Sequence, residues 1–178
     1  MSERDGAIET LEHRVRAAVA SVTDPEIPVL SIVDLGMVNG VAVEPDGSAV
    51  VRITPTFVGC PATELISQNI RDAVRAAGVD DVRVELEFDP PWTSARISAA
   101  GREKLLAFGL APPHRGASSA DAAPDAAIES NFHRVPCPHC GSTQTDLESI
   151  FGPTLCRSIH YCRGCRQSFE HFKPVSAD

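Results

Sequence analysis

Aromatic side chains are scarce in this chain of 178 residues: they make up 5%, with a single Trp, Trp92, and a single Tyr, Tyr161. So few rings leave little from which to build a stacking platform for bases. Positive charge is scarce as well. Sixteen Lys and Arg stand against 24 Asp and Glu, a net charge of −8, the wrong sign for binding nucleic acid through release of condensed counterions. No run approaches the roughly 18 apolar residues of a membrane span, so no membrane partner is expected. Residues 1–6, MSERDG, set acids on both sides of Arg4 with no apolar stretch behind them, unlike a secretory leader. A cytoplasmic protein is expected. No Glu is followed three positions later by His, which excludes the paired motif of carboxylate-bridged di-iron oxygenases. Neither GxGxxG nor GxxxxGK[ST] occurs, so a dinucleotide fold and a P-loop are both unindicated.

What is present describes a folded chain in two parts. Hydrophobic residues are 43% and charged residues 22%, near the globular average. Residues 111–130, APPHRGASSADAAPDAAIES, hold seven Ala, three Pro and three Ser, with Ile128 the one large apolar side chain. Such a stretch buries too little to offset its ordering entropy and reads as a flexible linker. It separates a front domain, 1–110, of net charge −7 from a tail, 131–178, of net charge +1.

The front domain reads as α+β. Ile8, Leu11, Val15, Val19 and Val22 recur at helical spacing and stop before Asp24-Pro25. Val41–Glu44 and Ala49–Ile53 flank Pro45-Asp46-Gly47, a hairpin pattern. Leu65, Ile66, Ile70, Ala73, Val74 and Ala77 mark one helical face that Gly78 ends. Val82, Val84, Leu86 and Phe88 alternate with Arg83, Glu85 and Glu87, the period of a strand with one wet face. Ser98–Phe108 forms a last helix closed by Gly109. This order predicts a small α/β sandwich with short antiparallel strands.

Cys60 precedes Pro61, a residue favoured in the first turn of a helix. At or beside an N-cap, backbone donors and the positive helix end favour thiolate over thiol, which suits a soft ligand or a nucleophile. The same letter also fits a small buried hydrophobe. Asp24-Pro25-Glu26-Ile27-Pro28 places two acids in a loop stiffened by proline; they can orient a metal, accept protons, or simply end a helix in solvent. Pro55, in Thr54–Gly59 ahead of Cys60, argues for an edge or loop there.

In their order, DPEIPVLSIVDLGMV, TPTFVGCPAT before a helix, and VRVELEFDPPWT resemble the iron-sulfur cluster assembly factors related to SufT. With the tail included, the chain more closely resembles the PaaD family, accessory subunits of the bacterial phenylacetyl-CoA epoxidase system. The resemblance implies a small α+β front domain whose functional candidates fall on Asp24, Glu26, Thr56 and Cys60. It also implies a role in maturing a metal or iron-sulfur centre on a client protein.

Five of the six cysteines lie between Cys137 and Cys165, among them two CxxC pairs, Cys137/Cys140 and Cys162/Cys165. In a reducing compartment that crowding reads as metal binding. Two such pairs can set four sulfurs about 2.3 Å from one ion, the closed site of structural zinc; a bound iron-sulfur cluster is the other reading. Gly141 and Gly164 suit tight knuckles. A 48-residue tail has too little core to fold without the metal. Cys156 lies between the pairs as a core or strand residue, or as an auxiliary thiol. His139, His160 and His171 are expected on the surface or just behind the ligands. Phe151, Tyr161, Phe169 and Phe172 are expected to cover the metal, pack the ribbon, or mark a docking face.

Together these features predict an assembly factor rather than an enzyme. It would mature the epoxidase's di-iron subunit or its reductase by transiently handling iron or a cluster. A docking subunit that handles no metal is the competing reading. A thiol enzyme is a third, weakened because the front domain offers only His13 as a partner for Cys60.

Overall fold

The computed structural model describes residues 3–113 and 135–176. Most of the expected linker, at 114–130, lies outside the described residues. The chain divides into two compact units, Met1–Pro91 and Trp92–Asp178. Among the described residues, no helix is long and apolar enough to cross a membrane.

In the first unit, helix α1 (Glu3–Ala20) leads through a long loop to strand β1 (Val38–Val43), then β2 (Ala49–Ile53), helix α2 (Ala62–Ala76) and β3 (Val82–Leu86). Helix α1 packs on α2 and β1, and α2 packs on β3. Val15, Val19, Ile66, Ile70 and Val74 are all at most 2% exposed, so the helical spacing seen in the sequence is the buried face except at Leu65, which in the first turn of α2 is 50% exposed. The hairpin β1–β2 is antiparallel as expected. The third strand corrects the all-antiparallel expectation: β2 and β3 pair in parallel, Ala49 opposite Val82 through Ile53 opposite Leu86. Parallel neighbours need a crossover of a dozen or more residues, and α2 with its two loops supplies it. As a result the chain enters β1, leaves β2 and leaves β3 at one end of the sheet, order β1-β2-β3.

That shared end is stitched together. Thr54 N donates to Met37 O at 2.8 Å, and Glu87 N to Ile53 O at 2.9 Å. The loop entering β1 is anchored by Ile27, Leu30, Ile32 and Leu35, each at most 1% exposed.

The second unit starts earlier than the linker pattern suggests. A short 3₁₀ turn (Ser94–Arg96) precedes helix α3 (Ala99–Phe108) and strand β4 (Leu110–Ala111); β5 (Thr145–Ser149), β6 (Arg157–Cys162) and β7 (Gln167–Phe172) follow. The four strands form one sheet ordered β4-β7-β6-β5. Leu110 and Ala111 pair in parallel with Glu170 and His171, so the division expected at residue 110 cuts through this sheet. Residues 92–110 group with the ribbon because side chains clamp them there. Trp92 lies 6.0 Å from the Phe172 ring; Ser94 Oγ accepts from Val175 N at 2.6 Å; the Arg102 guanidinium donates to the Ser94 and Pro113 carbonyls. Ser98 caps α3, its Oγ accepting from Gly101 N at 2.9 Å.

Because Trp92 is the one tryptophan in the chain and is 2% exposed, its fluorescence reports on this clamp. Phe172→Ala should cost about 3–5 kcal/mol in the second unit, the usual cost of emptying a buried phenylalanine site, and should shift Trp92 emission to the red. Unchanged emission and denaturation midpoint would show that residues 92–110 do not depend on this packing.

Candidate functional site

The candidate residues fall in two regions, one in each unit. In the second, the sequence between the CxxC pairs forms the β5–β6 hairpin, and the pairs sit on the turns that flank it. The first turn closes with Gly141 N donating to Cys137 O at 2.8 Å, the second with Arg166 N donating to Cys162 O at 2.8 Å. Gly141 has φ 73° and Arg166 φ 61°, the left-handed region that glycine enters freely and arginine does not. Gly164 therefore serves differently from expectation. A Cβ there would stand 3.0 Å from the Ser142 side chain, so this glycine lets the two turns approach each other.

The approach brings four sulfurs together. Cys137 Sγ is 3.7 Å from Cys165 Sγ, Cys140 Sγ is 3.6 Å from Cys162 Sγ, and all four lie within 4.8 Å of one another. A disulfide needs about 2.05 Å. A tetrahedron of sulfurs about 2.3 Å from a central ion has edges of about 3.8 Å, so the thiols fit a closed metal site. Among the described residues this is the one group of three or more Cys, His, Asp or Glu that could hold an ion. The backbone N–H of Cys165 is the main influence holding the Cys162 thiol down to about 6, while burial is the main influence pushing Cys165 up to about 12. A cation in the centre favours the thiolate at all four. Ala111, Val135 and Phe169 pack behind Cys137 and Cys162, so β4 joins the wall of the site.

Among the other tail residues, two histidines depart from a surface placement. His160 and His171 are fully buried, not at the surface. Ser158 Oγ lies 3.1 Å from His160 Nε2 and 3.5 Å from His171 Nδ1, and the His160 ring stacks on Phe169. They are core residues of the ribbon, because β6 and β7 turn them to the covered face of the sheet. His139 is exposed. Cys156 is half-buried in the loop ahead of β6, its sulfur 3.1 Å from Thr154 Oγ1, and it is not in the four-sulfur group. Phe169 and Phe172 are buried, whereas Phe151 is 72% exposed at the hairpin tip.

In the first unit, the loop leaving β2 carries Thr56 and Cys60, both half-buried. Pro61 takes the N-cap of α2, placing Cys60 immediately before it; the Cys60 carbonyl accepts from Thr63 N at 3.1 Å. Asp24 is 9% exposed, and its Oδ1 accepts from the backbone N–H of Glu26 at 2.8 Å and of Ile27 at 2.9 Å. That carboxylate braces its own loop. Glu26 is exposed. The antiparallel β1–β2 pairing brings the end of the loop that holds Asp24 to the same end of the sheet from which the Cys60 loop leaves β2, the carboxyl end where α/β sheets commonly bind ligands. Asp24, Glu26 and Cys60 do not form a compact ligand group of the tail's kind.

Sequence reading missed the polar tie beneath this end. A bulge in β1 between Val38 and Gly40 turns Asn39 so that its Nδ2 donates to Thr54 Oγ1 at 2.8 Å and Glu87 Oε2 at 2.5 Å. Bulges commonly re-aim side chains in this way, and no local residue pattern announces them.

Replacing Cys162 with Ser should reduce bound metal from about one ion per chain to near zero by elemental analysis, since a closed four-ligand site tolerates little loss. Chelation of the wild-type chain should expose Trp92 as well, through Ala111 and β4. Full metal retention by the Cys162 variant would show that the four thiols do not form the site.

Comparison with known proteins agrees with this division. A model of the "Iron-sulfur cluster assembly protein" family matches residues 12–86, and one of the "PaaD zinc beta ribbon domain" matches 121–173. The chain is 40% identical over 163 residues to an Escherichia coli protein named as one subunit of a "Putative 1,2-phenylacetyl-CoA epoxidase", covering 92% of this chain and 93% of that one. It is 37% identical to a Porphyromonas gingivalis "Fe-S protein maturation auxiliary factor" over 58% of this chain and 94% of that protein. A crystal structure of a DUF59 domain from Bacillus anthracis superposes with a TM-score of 0.52 at 28% identity, covering 57% of this chain and 96% of that one. With an assembly-type α+β domain in front and a zinc-ribbon fold behind, the chain belongs to the PaaD family.

Proposed function

We propose that this protein is an accessory factor that matures the phenylacetyl-CoA epoxidase complex of phenylacetate degradation, acting in the cytoplasm on a metal or iron-sulfur centre of a client subunit. The observation that carries the reading is the contrast between the two thiol sites. The tail's four sulfurs form a complete set, suited to a structural ion held for good. Cys60 is the one thiol of the first unit, on a loop at the open end of the sheet. A single sulfur makes an incomplete ligand set, so iron or a cluster bound there needs further ligands from the protein that receives it. That suits transfer rather than storage.

In this reading Cys60 supplies the soft ligand, and the exposed Glu26 carboxylate offers an oxygen or accepts the thiol proton. Asp24 holds the Glu26 loop by accepting its backbone N–H groups, and Thr56 lines the loop that carries Cys60. The tail binds structural Zn²⁺ through Cys137, Cys140, Cys162 and Cys165. There the ion fixes the fold and brings the four thiolates to a net charge of −2. Cys156, outside that set and in contact with Thr154 Oγ1, is the candidate auxiliary thiol. The client is the epoxidase's di-iron subunit or its iron-sulfur reductase; the names of the relatives support the maturation role, and the Escherichia coli relative supports the epoxidase link.

The competing reading, a docking subunit that handles no metal, draws on the absence of a compact ligand group around Cys60 among the described residues. Reconstitution of the epoxidase components separates the two. Cys60→Ala should lower iron or cluster content of the client severalfold, with the tail's metal unaffected. Equal loading and equal epoxidase activity would remove Cys60 from the mechanism and leave docking as the function.

A further inference from the structure

The first unit has two unlike ends. Among the described residues, its exposed large apolar side chains are Val29, Val33, Val58, Leu65, Leu86 and Phe88. They belong to the loop entering β1, the loop leaving β2, the first turn of α2 and the end of β3, which together make the Cys60 end. The opposite end, formed by the turns at 44–48 and 77–81, shows no exposed large apolar residue among those described. Val58 is 86% exposed and Phe88 52%. Exposed apolar residues scattered singly are ordinary, whereas a concentration at one end marks a contact surface.

The collar is also held out rather than left loose. In the loop entering β1, buried Ile27, Leu30, Ile32 and Leu35 alternate with exposed Val29 and Val33. Asp24 and Asp34 cap this loop, Asp34 Oδ2 accepting from Ser31 Oγ at 3.0 Å. A surface fixed before binding loses little ordering entropy when it is covered. Its rim has one sign. Segments 21–37, 54–65 and 86–91 contain no Lys or Arg but hold Asp24, Glu26, Asp34, Glu64, Glu87 and Asp89. Glu26 and Asp89 are exposed, and the Glu64 side chain is 86% exposed. Arg71 stands 3.7 Å from Glu64 and Arg52 3.8 Å from Glu87, both from outside these segments.

We infer that the Cys60 end of the first unit is a protein-docking face, and that its partner presents an apolar patch ringed by Lys and Arg. Charge complementarity chooses the occupant. A second copy would bring a second acidic rim against the first, and an anionic lipid surface would be repelled in the same way. The inference rests on the maturation reading for the partner's identity, the client subunit. It adds that the collar makes the contact that brings Cys60 to the client.

The test measures binding of the full chain to each purified epoxidase subunit in turn. Val58→Asp and Phe88→Ser, both at exposed positions, should each weaken binding at least tenfold with unchanged circular dichroism and melting temperature. The double variant Glu64→Gln/Asp89→Asn should weaken it severalfold and flatten its salt dependence between about 50 and about 300 mM NaCl, as screening of facing charges requires. Asp80→Asn, at the opposite end, should bind as the wild type does. Unchanged binding by the collar variants, or no binding of any subunit by the wild type, would overturn the inference. So would sedimentation showing a wild-type dimer that Val58→Asp dissociates, because the occupant would then be a second copy. Cys60→Ala keeps the two claims apart: if it binds and loads the client normally while the collar variants fail to bind, the docking face stands and the metal-handling role falls.

Discussion

Four thiols held 3.6–3.7 Å apart in their closer pairs match the edge of a tetrahedral metal site, and the second unit is built around that cluster. Without the ion, bringing four sulfurs together would cost either crowded protonated thiols or mutually repelling thiolates. With it, two turns are fixed against each other, β5, β6 and β7 are held in register, and Phe169 gains a wall to pack on. The effect extends upstream of the ribbon pattern, since Ala111 belongs to the same small core and Trp92 lies against Phe172. A module that looks like a 48-residue tail in the sequence thus draws in residues from 92 onward. This added packing suits a unit whose core is otherwise small.

The first unit depends on a different constraint. Pairing β2 with β3 in parallel requires α2 to cross over, and the crossover sends the Cys60 loop and the end of β3 out of one edge of the sheet. The loop entering β1 joins them there. One end of the unit consequently combines a thiol, an apolar collar and an acidic rim. Each feature is ordinary alone. Their coincidence is what connects a chemical reading of Cys60 with a physical reading of how a client would be presented to it.

The two units also divide the work of sulfur differently. In the tail the chain supplies four thiols, so an ion held there would have no open position and would serve the fold. In the first unit the chain supplies one sulfur, Cys60, while the Oδ1 of the buried acid Asp24 accepts from backbone N–H groups of its own loop. In the proposed role, metal handling at Cys60 would draw its remaining ligands from the partner.

Local order was legible from the residues because short-range physics sets it. Helical spacing marked the buried faces of α1 and α2, the Pro45-Asp46-Gly47 turn marked the hairpin, and two CxxC spacings marked the metal site. Alternation in β3 was visible too, but it did not reveal that the core gives out before Leu86 and Phe88, which are left exposed. Strand direction, the membership of residues 92–110, the burial of His160 and His171, the bulge at Asn39 and the close approach at Gly164 were decided only in three dimensions. Each depends on which distant segment lies alongside, and a periodicity within one segment carries no record of its neighbour.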